Sequence, residues 1–179
     1  MSSYKLKVLL TDAETVCNPS LTQELIELIG VKNRFQANYK LTVGVDILTK
    51  DVEFQQGEIA TLSIWDIGGQ QRFEIIRNTF YKGAAGALFV FDLCQKATFI
   101  KIKEWFAEIK KFAGSIPFVL IGKNIHLNKL AEKTINRKMA REFARNEGGL
   151  YIEPSPTDID IIEETVRNFI CRIINSRSL

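Results

Sequence analysis

Apolar residues recur along this chain in two rhythms. One is continuous or alternating over six to nine residues, as a strand requires. The other returns every three or four residues, as one face of a helix requires. The segment from Tyr4 to Leu10 reads as a first strand. Leu21, Leu25, Leu28 and Ile29 share a helical face, which Gly30 closes as a C-terminal cap. Residues 31–40 are polar and aperiodic and read as loop. The runs Leu41–Thr49 and Glu58–Trp65 both carry strand patterns, and the Glu53, Gln56, Gly57 region between them predicts a hairpin, so this pair is expected to be antiparallel. A helix-like run then places Ile75, Ile76, Thr79 and Phe80 together. The unbroken run Gly86–Phe91 predicts a strand buried on both faces.

The second half repeats the alternation. Residues 97–112 predict a helix with Ile102, Trp105, Phe106 and Ile109 inward, and Ile116–Ile121 a further buried strand. Arg137–Asn146 predicts a helix with Met139, Ala140 and Phe143 as its apolar positions. Leu150–Ile152 is a short last strand. Residues 158–175 form the last helix, on Ile162, Val166, Phe169, Ile170, Ile173 and Ile174. Strands alternating with helices imply an α/β fold: a six-stranded, mostly parallel sheet with one antiparallel edge strand and helices on both faces. No linker, repeat or low-complexity segment divides the chain, so residues 1–179 are read as one domain.

Composition narrows the class without changing this picture. A hydrophobic fraction of 46% and a charged fraction of 25% over 179 residues suit one globular domain with a real core. The net charge of +3, with lysines scattered, gives no footprint for nucleic acid. Cys17, Cys94 and Cys171 are odd in number and far apart, and read as reduced thiols of a cytoplasmic protein. No apolar run reaches membrane-spanning length, and the tail Asn175–Leu179 carries no cysteine for a lipid, so no direct membrane anchor is visible.

The chemistry concentrates in Ile64-Trp65-Asp66-Ile67-Gly68-Gly69-Gln70-Gln71-Arg72-Phe73, where a strand runs into an acid, two glycines and a glutamine before a helix begins. This stretch resembles the second switch, W-D-x-x-G-Q-x-R-F, of the Ras-superfamily small GTPases. Thr42-Val43-Gly44-Val45-Asp46 resembles the first switch of the Rab branch. Phe80-Tyr81-Lys82-Gly83-Ala84 resembles the segment that follows the second switch. The Gly68-Gly69 pair is also similar to Arf-like members. Element order agrees along essentially the whole chain, so the resemblance implies a small-GTPase G-domain. It further implies that Thr42 and Asp66 would serve magnesium, Gly69 the γ-phosphate, and Gln70 the attacking water, the roles these positions take in phosphoryl transfer by that superfamily.

The loops that hold the nucleotide depart from the family. Where its phosphate loop reads G-x-x-x-x-G-K-[ST], this chain has Asp12 and Cys17 at the glycines, Asn18 at the lysine and Pro19 at the hydroxyl, with Ser20 one place late. Asn18 supplies no cation and Pro19 no N–H. The same residues make a helix start without any ligand. Asn18 can cap with Pro19 first in the helix, or Ser20 can form a capping box with Gln23. Where the family has N-K-x-D, Gly122 is followed by Lys123-Asn124-Ile125-His126, and a neutral imidazole cannot accept two hydrogen bonds from guanine. The S-A-K loop corresponds to Ser155-Pro156-Thr157, where Pro156 removes a donor.

Two readings follow. In the first, the chain is a GTPase-like protein without catalysis or nucleotide, a pseudoGTPase that binds a protein partner through Val45, Ile47, Trp65, Phe73, Ile76 and Phe80, as a monomer or heteromer and with no cofactor. Its nucleotide site would be filled by side chains or a fixed loop. In the second, it is an unconventional switch that holds GTP or GDP and magnesium through Asn18, Ser20, Thr42, Asp66, Gly69, Lys123 and Ser155, with Gln70 catalytic.

Overall fold

The computed structural model describes residues 3–12, 45–67, 74–123, 137–154 and 159–177. The expected first helix over 21–30, the switch residues 42 and 68–73, and the loops at 13–20, 124–126 and 155–157 lie outside the described residues.

Six strands form one sheet: β1 (Ser3–Asp12), β2 (Val45–Gln55), β3 (Glu58–Ile67), β4 (Gly86–Asp92), β5 (Phe118–Lys123) and β6 (Leu150–Ile152), in the order β2-β3-β1-β4-β5-β6. The pair β2–β3 is antiparallel and every other pairing is parallel. Four helices are described: α1 (Glu74–Tyr81), α2 (Lys96–Ala113), α3 (Arg137–Asn146) and α4 (Ile159–Arg177). The expected architecture is present.

The faces sort by residue parity. Leu6, Val8 and Leu10 of β1 and Leu62 and Ile64 of β3 pack with Phe169, Ile170 and Ile173 of α4. Leu9, Phe89, Phe91, Phe118 and Leu120 face the other way, onto Phe99, Ile102, Trp105 and Ile109 of α2 and Ala140 and Ala144 of α3. Strands β4 and β5 are buried at every position, so their unbroken apolar runs meet core on both sides. The helix α4 can lie so close only because Gly86 has no side chain. A Cβ there would stand 2.5 Å from Phe169 Cζ and 2.8 Å from Ile173 Cδ1. The β2–β3 turn relies on Gly57, with φ at 76°, and its N–H donates to Glu53 Oε1 at 3.0 Å.

Three local expectations are corrected. β2 continues to Gln55 rather than stopping at Thr49, because an edge strand tolerates charge at Lys50, Asp51 and Glu53. β5 begins at Phe118 rather than Ile116. Pro117 lacks an N–H, although its carbonyl still accepts from the Ala87 N–H at 3.1 Å. In α3, Ala140 is buried and Phe143 packs against the core as expected, while Met139 is 38% exposed and Ala144 takes the inward place. In α1 the exposure of Ile76 agrees with its place on the expected partner face. Ile76 is 46% exposed, while Arg77, at 4%, and Tyr81, at 0%, point inward.

Candidate functional site

Two regions collect groups the core does not need. The first is the carboxyl end of the sheet, where ligands of open α/β folds bind. Of the buried polar side chains among the described residues, Thr11, Asp66, Asp92, Thr98 and Lys123 gather here. Asp66 lies on β3 beside Leu10 of β1, and Asp92 of β4 is in register with Lys123 of β5. Thr98 Oγ accepts from the Asp92 N–H at 3.0 Å and donates to Gln95 O at 2.6 Å, and Asp92 Oδ1 accepts from the Cys94 N–H at 2.8 Å. These bonds tie the β4–α2 turn. Asp92 Oδ2 and Thr11 Oγ1 are buried without a hydrogen-bond partner. On the outer side of this end, Glu153 accepts from the Tyr151 hydroxyl at 2.7 Å and pairs with Arg137 Nε, which fixes β6 just before Ser155. Burial first, then the Glu153 carboxylate, pushes the Tyr151 phenol above its ordinary range.

Of the residues assigned to a nucleotide by resemblance, the structure therefore describes Asp66 and Lys123, both buried at this end. Asn18, Ser20, Thr42, Gly69, Gln70 and Ser155 lie outside the described residues, as does His126. No group of three or more His, Cys, Asp or Glu able to hold a metal occurs among the described residues. One acid, Asp66, is in the place a water-mediated magnesium contact would use. Lys123 stands where the family carries an asparagine.

The second region lies on the face of β2 and β3 beside α1. The hairpin register places Ile47 opposite Trp65 and Val45 opposite Ile67. Trp65 is half-buried; its indole N–H donates to Ser63 Oγ at 3.0 Å, and its ring lies 6.3 Å from that of Phe80. The Lys7 ammonium, reaching diagonally from β1, stands 3.7 Å from the Trp65 ring centroid and donates to Lys82 O at 2.9 Å. Burial lowers the Lys7 pKa from its ordinary value. Ile47, at 48% exposed, and Ile76 flank this half-covered pair, and Val45 packs at its inner margin. The structure thus brings Val45, Ile47, Trp65 and Phe80 onto one face with α1 alongside; Phe73 lies outside the described residues.

Sequence reading missed Lys7 as a contributor here. The one available signal was a lysine within the apolar strand β1.

Residues 14–175 match the sequence model of the Ras family. The chain is 33% identical over 152 residues to the GTP-binding protein ypt3 of Schizosaccharomyces pombe, an alignment covering 83% of this chain and 70% of that protein. It is 32% identical over 158 residues to the Ypt/Rab-type GTPase YPT7 of Saccharomyces cerevisiae, with 84% and 73% covered. It is 30% identical over 148 residues to the Ras-related protein Rab-11A of Dictyostelium discoideum, with 82% and 68% covered. Sheet order, helix placement and these matches agree: the chain belongs to the Ras family.

Proposed function

We propose that this Ras-family chain works as a protein-interaction module that neither holds nor hydrolyses guanine nucleotide. The observation that carries the reading is the replacement of the phosphate-loop lysine and hydroxyl by Asn18 and Pro19. Phosphoryl transfer in this superfamily is almost wholly positioning and charge stabilisation. Without a cation at the β- and γ-phosphates, and with Asp12 and Glu14 close by in sequence, a triphosphate meets repulsion instead of a cradle. His126 and Pro156 weaken the base contacts as well. The partner surface is the face of Val45, Ile47, Trp65, Phe73, Ile76 and Phe80. Exposed Ile47 and Ile76 beside a half-covered aromatic pair favour it, because isolated apolar side chains are ordinary but a group around an aromatic anchor is the usual form of an interface centre.

A second reading has its own support. The relatives are described as GTP-binding proteins and GTPases, and Thr42, Asp66, Gly69 and Gln70 keep the switch residues. In that reading Lys123 and Asn18 or Ser20 replace the usual contacts and magnesium is shared by Thr42 and Asp66.

One experiment separates them. Small molecules are released from freshly purified protein by denaturation and identified, and the protein emptied without denaturation is titrated with GTP, GDP and ATP in the presence of magnesium by calorimetry. The proposal expects no bound guanine nucleotide and no heat of binding. A stoichiometric guanine nucleotide overturns it.

A further inference from the structure

Two buried residues of α1, Arg77 and Tyr81, make a single cluster between α1 and α2. An eight-residue helix spans two turns and does not hold its shape alone in water. It must be tethered, and its outward residues Ile76 and Thr79 contribute no tether. What faces α2 is Arg77 with Tyr81 one turn further on. The Arg77 guanidinium carbon stands 4.5 Å from the ring centroid of Trp105, a side chain 1% exposed, and Arg77 Nη2 pairs with Glu108 Oε2 at 3.4 Å. The Tyr81 ring lies 6.2 Å from that of Phe112. A cation is thus held away from water by a ring on one side and a carboxylate on the other.

The cluster is not fully satisfied. Arg77 Nε and the Tyr81 hydroxyl are buried without hydrogen-bond partners. Glu108 lies near enough to Tyr81 to help raise its phenol's pKa, after burial, yet not in hydrogen-bonding geometry. Glu108 is the member that solvent reaches, with its side chain 27% exposed against 5% for Arg77. The orphaned donors are both on α1, so the carboxylate of α2 is the sole counter-charge holding that helix among the described residues.

We propose that Arg77, Trp105 and Glu108 form an internal clamp that fixes α1 on α2, so that the face carrying Ile76 and Phe80 is set by the chain itself and needs no ligand to order it. The last part rests on the reading of the chain as a module without nucleotide; the clamp stands on the geometry of α1 and α2 alone. Arg77 is a positioning residue for that face.

The test is hydrogen exchange on the whole chain. Arg77→Met and Glu108→Gln are compared with wild type, following peptides that cover residues 74–81 and 159–177, with cooperative melting as a control on folding. The clamp expects exchange in 74–81 to accelerate at least tenfold in both variants, while 159–177 keeps its wild-type rate. A merely structural loss of stability speeds both segments alike and overturns the proposal, as does an unchanged rate in 74–81. Should Arg77→Met fail to fold, Glu108→Gln reads the same clamp from its exposed side. Adding magnesium and GTP to the wild type is expected to leave exchange in 74–81 unchanged. Slowing there, with the variants still fast, keeps the clamp and overturns the ligand-independent setting of the face.

Discussion

The contact between Lys7 and Trp65 yields a sharp prediction. Its ammonium is 3.7 Å from the ring centroid and also donates to Lys82 O at 2.9 Å. Burial lowers the Lys7 pKa, so dehydration opposes the charged form that the ring and carbonyl favour. Replacing Lys7 alone therefore gives an ambiguous result: Lys7→Met forfeits two favourable contacts and escapes the dehydration, and its net cost is expected to be under ~1 kcal/mol. A double-mutant cycle isolates the ring. Lys7→Met is made with Trp65 present and again with Trp65→Leu; the Lys82 carbonyl bond is lost equally in both backgrounds and cancels. A partly exposed ammonium over a half-buried indole should couple by about 1 kcal/mol, between the exposed and desolvated limits. Urea unfolding followed by circular dichroism measures it. A coupling below ~0.3 kcal/mol would mean additive, independent side chains and would refute the cation–ring account of this face. The pH dependence carries a matching sign. With the folded-state pKa lowered, the unfolded chain binds more protons in the window just below pH ~10.5, so the Lys7 contribution to stability rises with pH there and vanishes in Lys7→Met.

Three further outcomes are expected. The phenols of Tyr81 and Tyr151 both titrate above their ordinary value, chiefly through burial, so folding favours their protonated forms and stability falls as pH rises above ~10; absorbance at the phenolate band should show them ionising only with unfolding, and early titration would contradict their burial. Gly86→Ala drives a methyl into Phe169 and Ile173 and should cost about 1–3 kcal/mol, lowering the melting temperature by roughly 2–12 °C; an unchanged melting curve would mean that α4 can withdraw freely from β4. Ile47→Ala and Ile76→Ala remove exposed side chains and should change stability by no more than ~0.5 kcal/mol each, so any loss of partner capture in the pair reads the interface and not the fold.

Much of the fold was legible because its core obeys parity. The buried runs Gly86–Phe91 and Phe118–Ile121 could only be central strands, and the spacing of Ile162, Phe169, Ile170 and Ile173 could only be one face of α4. The Glu53, Gln56, Gly57 signal placed the antiparallel turn, since Gly57 adopts the left-handed conformation that such a turn demands. What failed was tied to edges and ends. β2 continues through charged residues because one side of it pairs with nothing in the sheet, and Met139 is exposed while Ala140, Ala144 and Phe143 face the sheet and α2. Of the candidate site, Asp66, Trp65 and Ile47 were placed by the family resemblance, but nothing in the pattern announced Lys7 beneath that face or Arg77 behind it.

Lys7 and Arg77 went unremarked for one cause. Pattern reading assumes that a cation faces water, and that holds unless something replaces water's stabilisation. A ring face can do so in part and a carboxylate can do so more fully. Lys7 is drawn under Trp65, and Arg77 is drawn between Trp105 and Glu108, so each tryptophan of the chain carries a cation on its ring. One cation supports the strand half of the surface and the other the helical half, where Phe80 meets Trp65 at 6.3 Å. Displacing either should therefore disturb the Trp65–Phe80 contact without touching the sheet that holds the rest of the molecule. That is a stronger demand than either residue's own stability cost, because it couples two substitutions on different elements through a pair of rings neither of them belongs to.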